Sequence, residues 1–109
     1  MVTYIFVTEW LHNFMRRDVY QAIADPVRRD IIKLLAKETM NINGVASNYE
    51  ISRPAISKHL KILHECGIIK INQQGRQRLC QIEPKMLKDA FLWIDQYKEL
   101  WNKKTNPIP

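Results

Sequence analysis

Apolar residues recur at three- and four-residue intervals as far as Gly67, alternate in part between Ile68 and Ile82, and return to helical spacing after Pro84. The pattern predicts helices, a hairpin and a last helix. From about Arg16 to Ala24, Val19, Tyr20 and Ile23 share one side of a short helix that stops before Asp25-Pro26. Asp25 is placed to cap a second helix with Pro26 at its first position, where a missing N–H costs nothing. Val27, Ile31, Leu34 and Leu35 form its buried stripe, and Arg28, Arg29, Lys33 and Lys37 its wet side. Thr39 to Asn43 reads as a connection. A third, short helix runs from an N-cap at about Asn43 to Asn48 or Tyr49, turning Val45, Ala46 and Tyr49 inward.

The stretch that organises the rest is Ile51 to Gly67, ISRPAISKHLKILHECG. Ile56, Leu60 and Leu63 fall on one helical face; Ser52 is a good N-cap, Pro54 sits in the first turn, and Gly67 is a natural stop. Two short helices joined by a tight turn, with small Ala46 where they cross and Ile51 and Ile56 beneath, outline a helix-turn-helix. The turn position four residues after Ala46 favours a left-handed backbone; Glu50 there predicts strain of ~1 kcal/mol. After Gly67, Ile68 to Gln73 and Gln77 to Ile82 read as two strands turning at Gln74-Gly75, with Arg76 at the tip. A lone hairpin is marginal, so it must lean on the helices, through Ile68 and Ile82. The last helix opens at Pro84 and runs to about Lys103, with Leu87, Ala90, Phe91, Ile94, Tyr97 and Trp101 in helical spacing and Trp93 and Leu100 widening the stripe. The fold class is mainly α with a two-stranded β-wing, in the order α-α-α-α-β-β-α. Residues 15–103 form the domain and 104–109 a frayed tail.

Charge sharpens this picture. The 109-residue chain carries a net charge of +6, and five of those six charges lie between Ile51 and Ile82, where Arg53, Lys58, Lys61, Lys70, Arg76 and Arg78 face Glu65 alone. Such a face suits a polyanion, because each phosphate contact releases condensed counterions; the competing reading is a solvated basic surface. Cys66 and Cys80 are the only cysteines, and no apolar run approaches the ~20 residues of a membrane span, which points to a reducing compartment, the cytoplasm. Residues 1–14, MVTYIFVTEWLHNF, lack the basic start of a secretory leader. Composition changes at Met15-Arg16-Arg17, and two readings stay open. Either Met15 is the native start and residues 1–14 are an extension, or they form an arm that docks Trp10, Leu11 and Phe14 on the domain.

The runs DPVRRDIIKLL, SRPAISKHLKIL and CGIIKINQQGRQR closely resemble ArsR-type bacterial repressors, especially a small autorepressor-like subgroup without metal ligands. Most specific is the combination of Ser52, Ser57, Lys58, His59, Leu60 and Leu63 with the Gly75-Arg76 wing tip; the resemblance spans Arg16 to about Lys103. It implies a homodimeric repressor of a double-stranded, pseudo-palindromic DNA operator. Its recognition helix would enter the major groove through Ser52, Arg53, Pro54, Ser57, Lys58 and Lys61, and its wing would present Arg76 and Arg78 to the backbone or minor groove. The surplus apolar stripe then becomes the dimer seam, formed by Val19, Tyr20, Ile23, Phe91, Ile94, Tyr97 and Trp101. His59 reads instead as a residue that hydrogen-bonds within the domain.

Metal-sensing relatives carry cysteine pairs in the third helix or Asp and His ligands on the last one. Here the third-helix region is NINGVAS and the final helix has no His, so no metal or other cofactor is expected. His64 and Cys66 diverge by ~200° on a helix and make no chelate. With Cys80 opposite Lys70, Cys66 lies ~13 Å further along, beyond disulfide reach, and Cys80 reads as a small buried hydrophobe. Nothing marks an enzyme: there is no Gly-rich phosphate loop, no matched carboxylate pair, and Ser57 and His59 point apart on one helix. Two other readings remain, a winged-helix module that binds protein, and a repressor answering an organic ligand near Trp93 and Tyr97 or thiol oxidation.

Overall fold

A computed structural model describes residues 17–102. The expectations for residues 1–16 and 103–109, including the native start, the arm and the frayed tail, lie outside the described residues. In chain order the elements are α1 (Val19–Ile23), α2 (Pro26–Lys37), β1 (Met40–Asn41), α3 (Ile42–Ala46), α4 (Arg53–Glu65), β2 (Ile69–Gln74), β3 (Gln77–Ile82), α5 (Lys85–Asp95) and α6 (Lys98–Asn102).

Side-chain caps start the first four helices. Asp18, Asp25, Asn41 and Ser52 accept from the backbone N–H groups of Gln21, Arg28, Gly44 and Ala55, satisfying donors that a helix start leaves unpaired. The α3 cap is thus Asn41, two residues before the expected Asn43. Ile31 and Leu35 of α2, Val45 of α3, and Ile56, Leu60 and Leu63 of α4 meet in one core with Val19, Ala22, Ile68, Cys80 and Ala90. This core fixes the crossing of α3 and α4 that defines the helix-turn-helix.

Several details depart from the sequence reading. Ile51 does not lie beneath that crossing; it is 40% exposed, whereas half-buried Tyr49 packs against the core and donates its hydroxyl to Asp30 of α2 at 2.8 Å. Glu50 carries no left-handed strain, because glycines alone have positive φ among the described residues. Ser47, Asn48 and Tyr49 continue α3 through backbone bonds to Asn43, Val45 and Ala46, and this tapering exit needs no αL residue. The hairpin gains a third strand, β1, giving the order β1-β3-β2 with Met40 opposite Cys80. Two residues are too few to show an alternating pattern, so the sequence presents only a connection there.

Gly75-Arg76, not Gln74-Gly75, makes the turn: Gln74 pairs with Gln77, and Gly75 has φ 61°, as the first central position of a type II′ turn requires. Cys80 consequently faces Ile71 rather than Lys70. The base of the wing leans on the core through fully buried Ile68 and half-buried Ile82, and Glu83 N–H donates to Ile68 C=O at 2.8 Å. The last helix is broken. Around Tyr97 the ladder tightens into i→i+3 bonds, Tyr97 to Ile94 and Leu100 to Tyr97, both 3.0 Å, and α5 ends before α6 begins.

Candidate nucleic-acid interface

Burial sorts α4 into two faces. Ile56, Leu60 and Leu63 are essentially inaccessible, whereas Ser52, Arg53, Pro54, Lys58 and Lys61 are exposed and Ser57 is half-buried beside them. The wing tip is exposed from Asn72 to Arg78. Lys70 belongs elsewhere: its ammonium meets Glu83 at 2.9 Å, and that bond, with the lysine's charge, holds the Glu83 carboxyl below its usual range. Arg53, Lys58, Lys61, Arg76 and Arg78 make no ion pair among the described residues. Five uncompensated cations therefore share the outer side of α4 and the wing.

Two concavities join these elements. One, of about 180 Å³, is lined by Arg53 from α4, Arg76, Gln77 and Arg78 from the wing, and Asn41, Ile42 and Asn43 at the start of α3. The other, of about 340 Å³, has Ser57, Lys61, His64 and Arg78 around an apolar floor of Ile42, Leu60 and Ile71. The structure thus brings Arg53 to the wing arginines, and Ser57 and Lys61 to Arg78; Lys58 lines neither. Cationic donors in such recesses can hold anionic oxygens by charge-assisted hydrogen bonds.

Sequence reasoning overlooked two side chains here. Asn43 accepts from Arg53 Nε at 2.7 Å, across a separation of ten residues that no helical or strand period marks. Arg28, read as solvated, is half-buried: Nε and Nη2 donate to the carbonyls of Ala22 and Gln21 at 3.0 and 2.9 Å, closing the end of α1. Its Nη1 also lies 3.4 Å from His59 Nδ1, while Asp25 Oδ2 is 3.9 Å from the same nitrogen. His59 is therefore engaged within the domain. The sequence signal for Arg28 is its position just after the end of α1, where carbonyls lack partners.

Burial raises the Asp25 carboxyl's pKa, but the Arg28 N–H, His59, the Arg28 guanidinium and the Val27 N–H outweigh it and hold the carboxyl below its ordinary value of 3.8. A group depressed in the folded state contributes stability above its unfolded pKa and loses it as pH falls through the folded one. Urea unfolding midpoints should thus drop as the medium is acidified past that ordinary value. Asp25→Asn, which keeps an N-cap oxygen, should flatten that acid limb; an unchanged limb would assign the acid sensitivity elsewhere.

Apolar side chains are exposed on α1 and from α5 through α6: Phe91 is 60% exposed, and Tyr20, Ile94, Tyr97 and Trp101 are each exposed by 42% or more. Trp93 stands edge-on to Tyr20 and Tyr97, with ring centroids at 5.7 and 5.3 Å. Ile23 is half-buried, and Val19, expected on the exposed seam, lies instead in the chain's own core. Cys66 and Cys80 are buried free thiols, and burial pushes both up from the ordinary thiol range. Among the described residues no three His, Cys, Asp or Glu side chains gather as a metal would need, and no helix is long and apolar enough to cross a membrane.

Known proteins share this architecture. The family described as "Bacterial regulatory protein, arsR family" matches residues 25–70, from the cap of α2 into β2. The transcriptional repressor SdpR of Bacillus subtilis is 34% identical over 77 residues, which are 71% of this chain and 86% of SdpR. The crystal structure of the ArsR family transcriptional regulator RHA00566 superposes with a TM-score of 0.69 at 30% identity, covering 78% of this chain and 93% of that one. At 19% identity, the homodimeric winged helix-turn-helix DNA-binding domain Mb0332 of Mycobacterium bovis shares the fold, with a TM-score of 0.60 over 78% of this chain and 79% of that one. SdpR and RHA00566 are transcriptional regulators rather than enzymes, and this chain belongs to the ArsR family as a DNA-binding transcriptional regulator with a winged helix-turn-helix.

Proposed function

We propose that the chain is a cytoplasmic homodimeric repressor that reads a pseudo-palindromic operator and needs no metal to bind or release it. The observation that carries this reading is the gathering on α4 and the wing of five exposed cations, unpaired among the described residues. Uncompensated cations occupy α4 and the wing, while large apolar side chains stand exposed on α1, α5 and α6. Ser52, Arg53, Pro54, Ser57, Lys58 and Lys61 of each protomer face the major groove, with phosphates and guanine edges as partners. Arg76 and Arg78 track the adjacent backbone. Tyr20, Ile23, Phe91, Ile94, Tyr97 and Trp101 form the seam, with Val19 supporting it from the core. The repressor role of SdpR and the homodimeric state of Mb0332 support the same assignment.

Two-fold symmetry places the recognition helices about one DNA turn apart, ~34 Å. Nuclease footprinting on the duplex upstream of the chain's own gene should show two symmetric protected halves at that spacing, absent from scrambled duplex. Added zinc should leave the footprint unchanged. A single protected half contradicts the dimer, and release by zinc contradicts metal independence. A cationic surface that serves only for solubility yields no footprint at all.

A further inference from the structure

Resting on that reading of the interface, we propose that Asn43 is a positioning residue that holds Arg53 in a phosphate-binding recess shared by the recognition helix and the wing. Arg53 is the first residue of α4 and is exposed. An unrestrained arginine there samples many rotamers, and fixing one on a phosphate costs side-chain entropy. Asn43 removes much of that cost beforehand by accepting from Nε at 2.7 Å. This bond uses the inner nitrogen and leaves both terminal nitrogens, the ones suited to a bidentate grip on phosphate, without a partner among the described residues. Arg76 and Arg78 line the same recess, and none of its lining residues is acidic. Its volume of about 180 Å³ is several times a water molecule's share of the liquid, about 30 Å³. Arginines from two elements thus line one recess, which suits a DNA phosphodiester running from the helix to the wing.

Asn43 is exposed, and its side chain makes no other hydrogen bond among the described residues, so Asn43→Ala keeps the fold and removes the acceptor. Titrations of the full chain on the upstream duplex, across a salt series, compare wild type with Asn43→Ala, Arg53→Ala, the double variant and Asn43→Asp. Asn43→Ala should weaken binding about five-fold with an unchanged salt slope, because no cation is lost. Arg53→Ala should weaken it further and make the slope shallower. In the Arg53→Ala background, Asn43→Ala should add less than about two-fold, because its effect runs through Arg53. Asn43→Asp keeps an acceptor for Arg53 and places a negative charge beside the phosphate. Its thermal midpoint should match or exceed that of Asn43→Ala, because the Arg53 bond is kept, while the carboxylate's repulsion of the phosphate makes its DNA binding the weaker of the two. Wild-type affinity in Asn43→Ala, or an undiminished effect of it in the Arg53→Ala background, overturns this inference alone. A wild-type chain indifferent to salt and to Lys58→Ala overturns the interface reading as well.

Discussion

Phe91→Glu is expected to sediment as a monomer and to bind an operator duplex at least about a hundred-fold more weakly than wild type. Phe91 is the most exposed large apolar side chain described, at 60%. Changing it removes nothing from the protomer's core, and surface changes of that kind usually move stability by about 0.5 kcal/mol or less. The effect is expected on the proposed dimer seam. Stable interfaces bury about 800 Å² per partner, and an aromatic side chain spans roughly 150–250 Å², of which about half is still exposed on each exposed aromatic here. Tyr20, Phe91, Trp93, Tyr97 and Trp101, with Leu92, Ile94 and Leu100, together approach that area. A carboxylate driven into that surface must be desolvated without a partner, at a cost of several kcal/mol. Losing the dimer unlinks two half-site contacts whose effective concentration is in the millimolar range, and such linkage is worth about 10²–10⁴ in affinity. Sedimentation and fluorescence anisotropy on the same preparation read both consequences. A Phe91→Glu dimer with full affinity would move the seam off α5.

Strong local signals made most of the fold legible. Caps at Asp25 and Ser52, prolines at the helix starts, and the Ile56, Leu60 and Leu63 stripe each carry their own chemistry, and the structure keeps them. Where signals were short or tertiary, reading failed. Strand β1 has two residues and exists because β3 offers it a free edge. Gln74-Gly75 and Gly75-Arg76 both read as turn pairs in the sequence, and only the pairing of Gln74 with Gln77 puts Gly75 at the first central position. The exposed stripe of the last helix was plain in its spacing, but its interruption near Tyr97 has no Pro or Gly to announce it. The cations of the interface stood out because acids are nearly absent around them. Asn43 did not, since its bond to Arg53 arises only when α3 and α4 cross.

The second large effect concerns the reading surface. Lys58 and Arg76 are exposed, lie on different elements and make no ion pair among the described residues, so removing either leaves the fold intact. In a symmetric dimer each substitution deletes two contacts. At about 1 kcal/mol per contact, roughly five-fold, the dimer loses about 25-fold in affinity for each substitution. Every phosphate contact also adds about 0.9 to the steepness of log affinity against log salt, so losing Arg76 from both half-sites should reduce it by about 1.8.

Fluorescence anisotropy on the upstream duplex, across a salt series, for wild type, Lys58→Ala and Arg76→Ala tests the central claim most directly. The proposed account predicts preference for that duplex over scrambled sequence, roughly 25-fold weaker binding by each variant, and a slope shallower by about 1.8 for Arg76→Ala. Equal affinity for both duplexes, with neither variant differing from wild type, would contradict it.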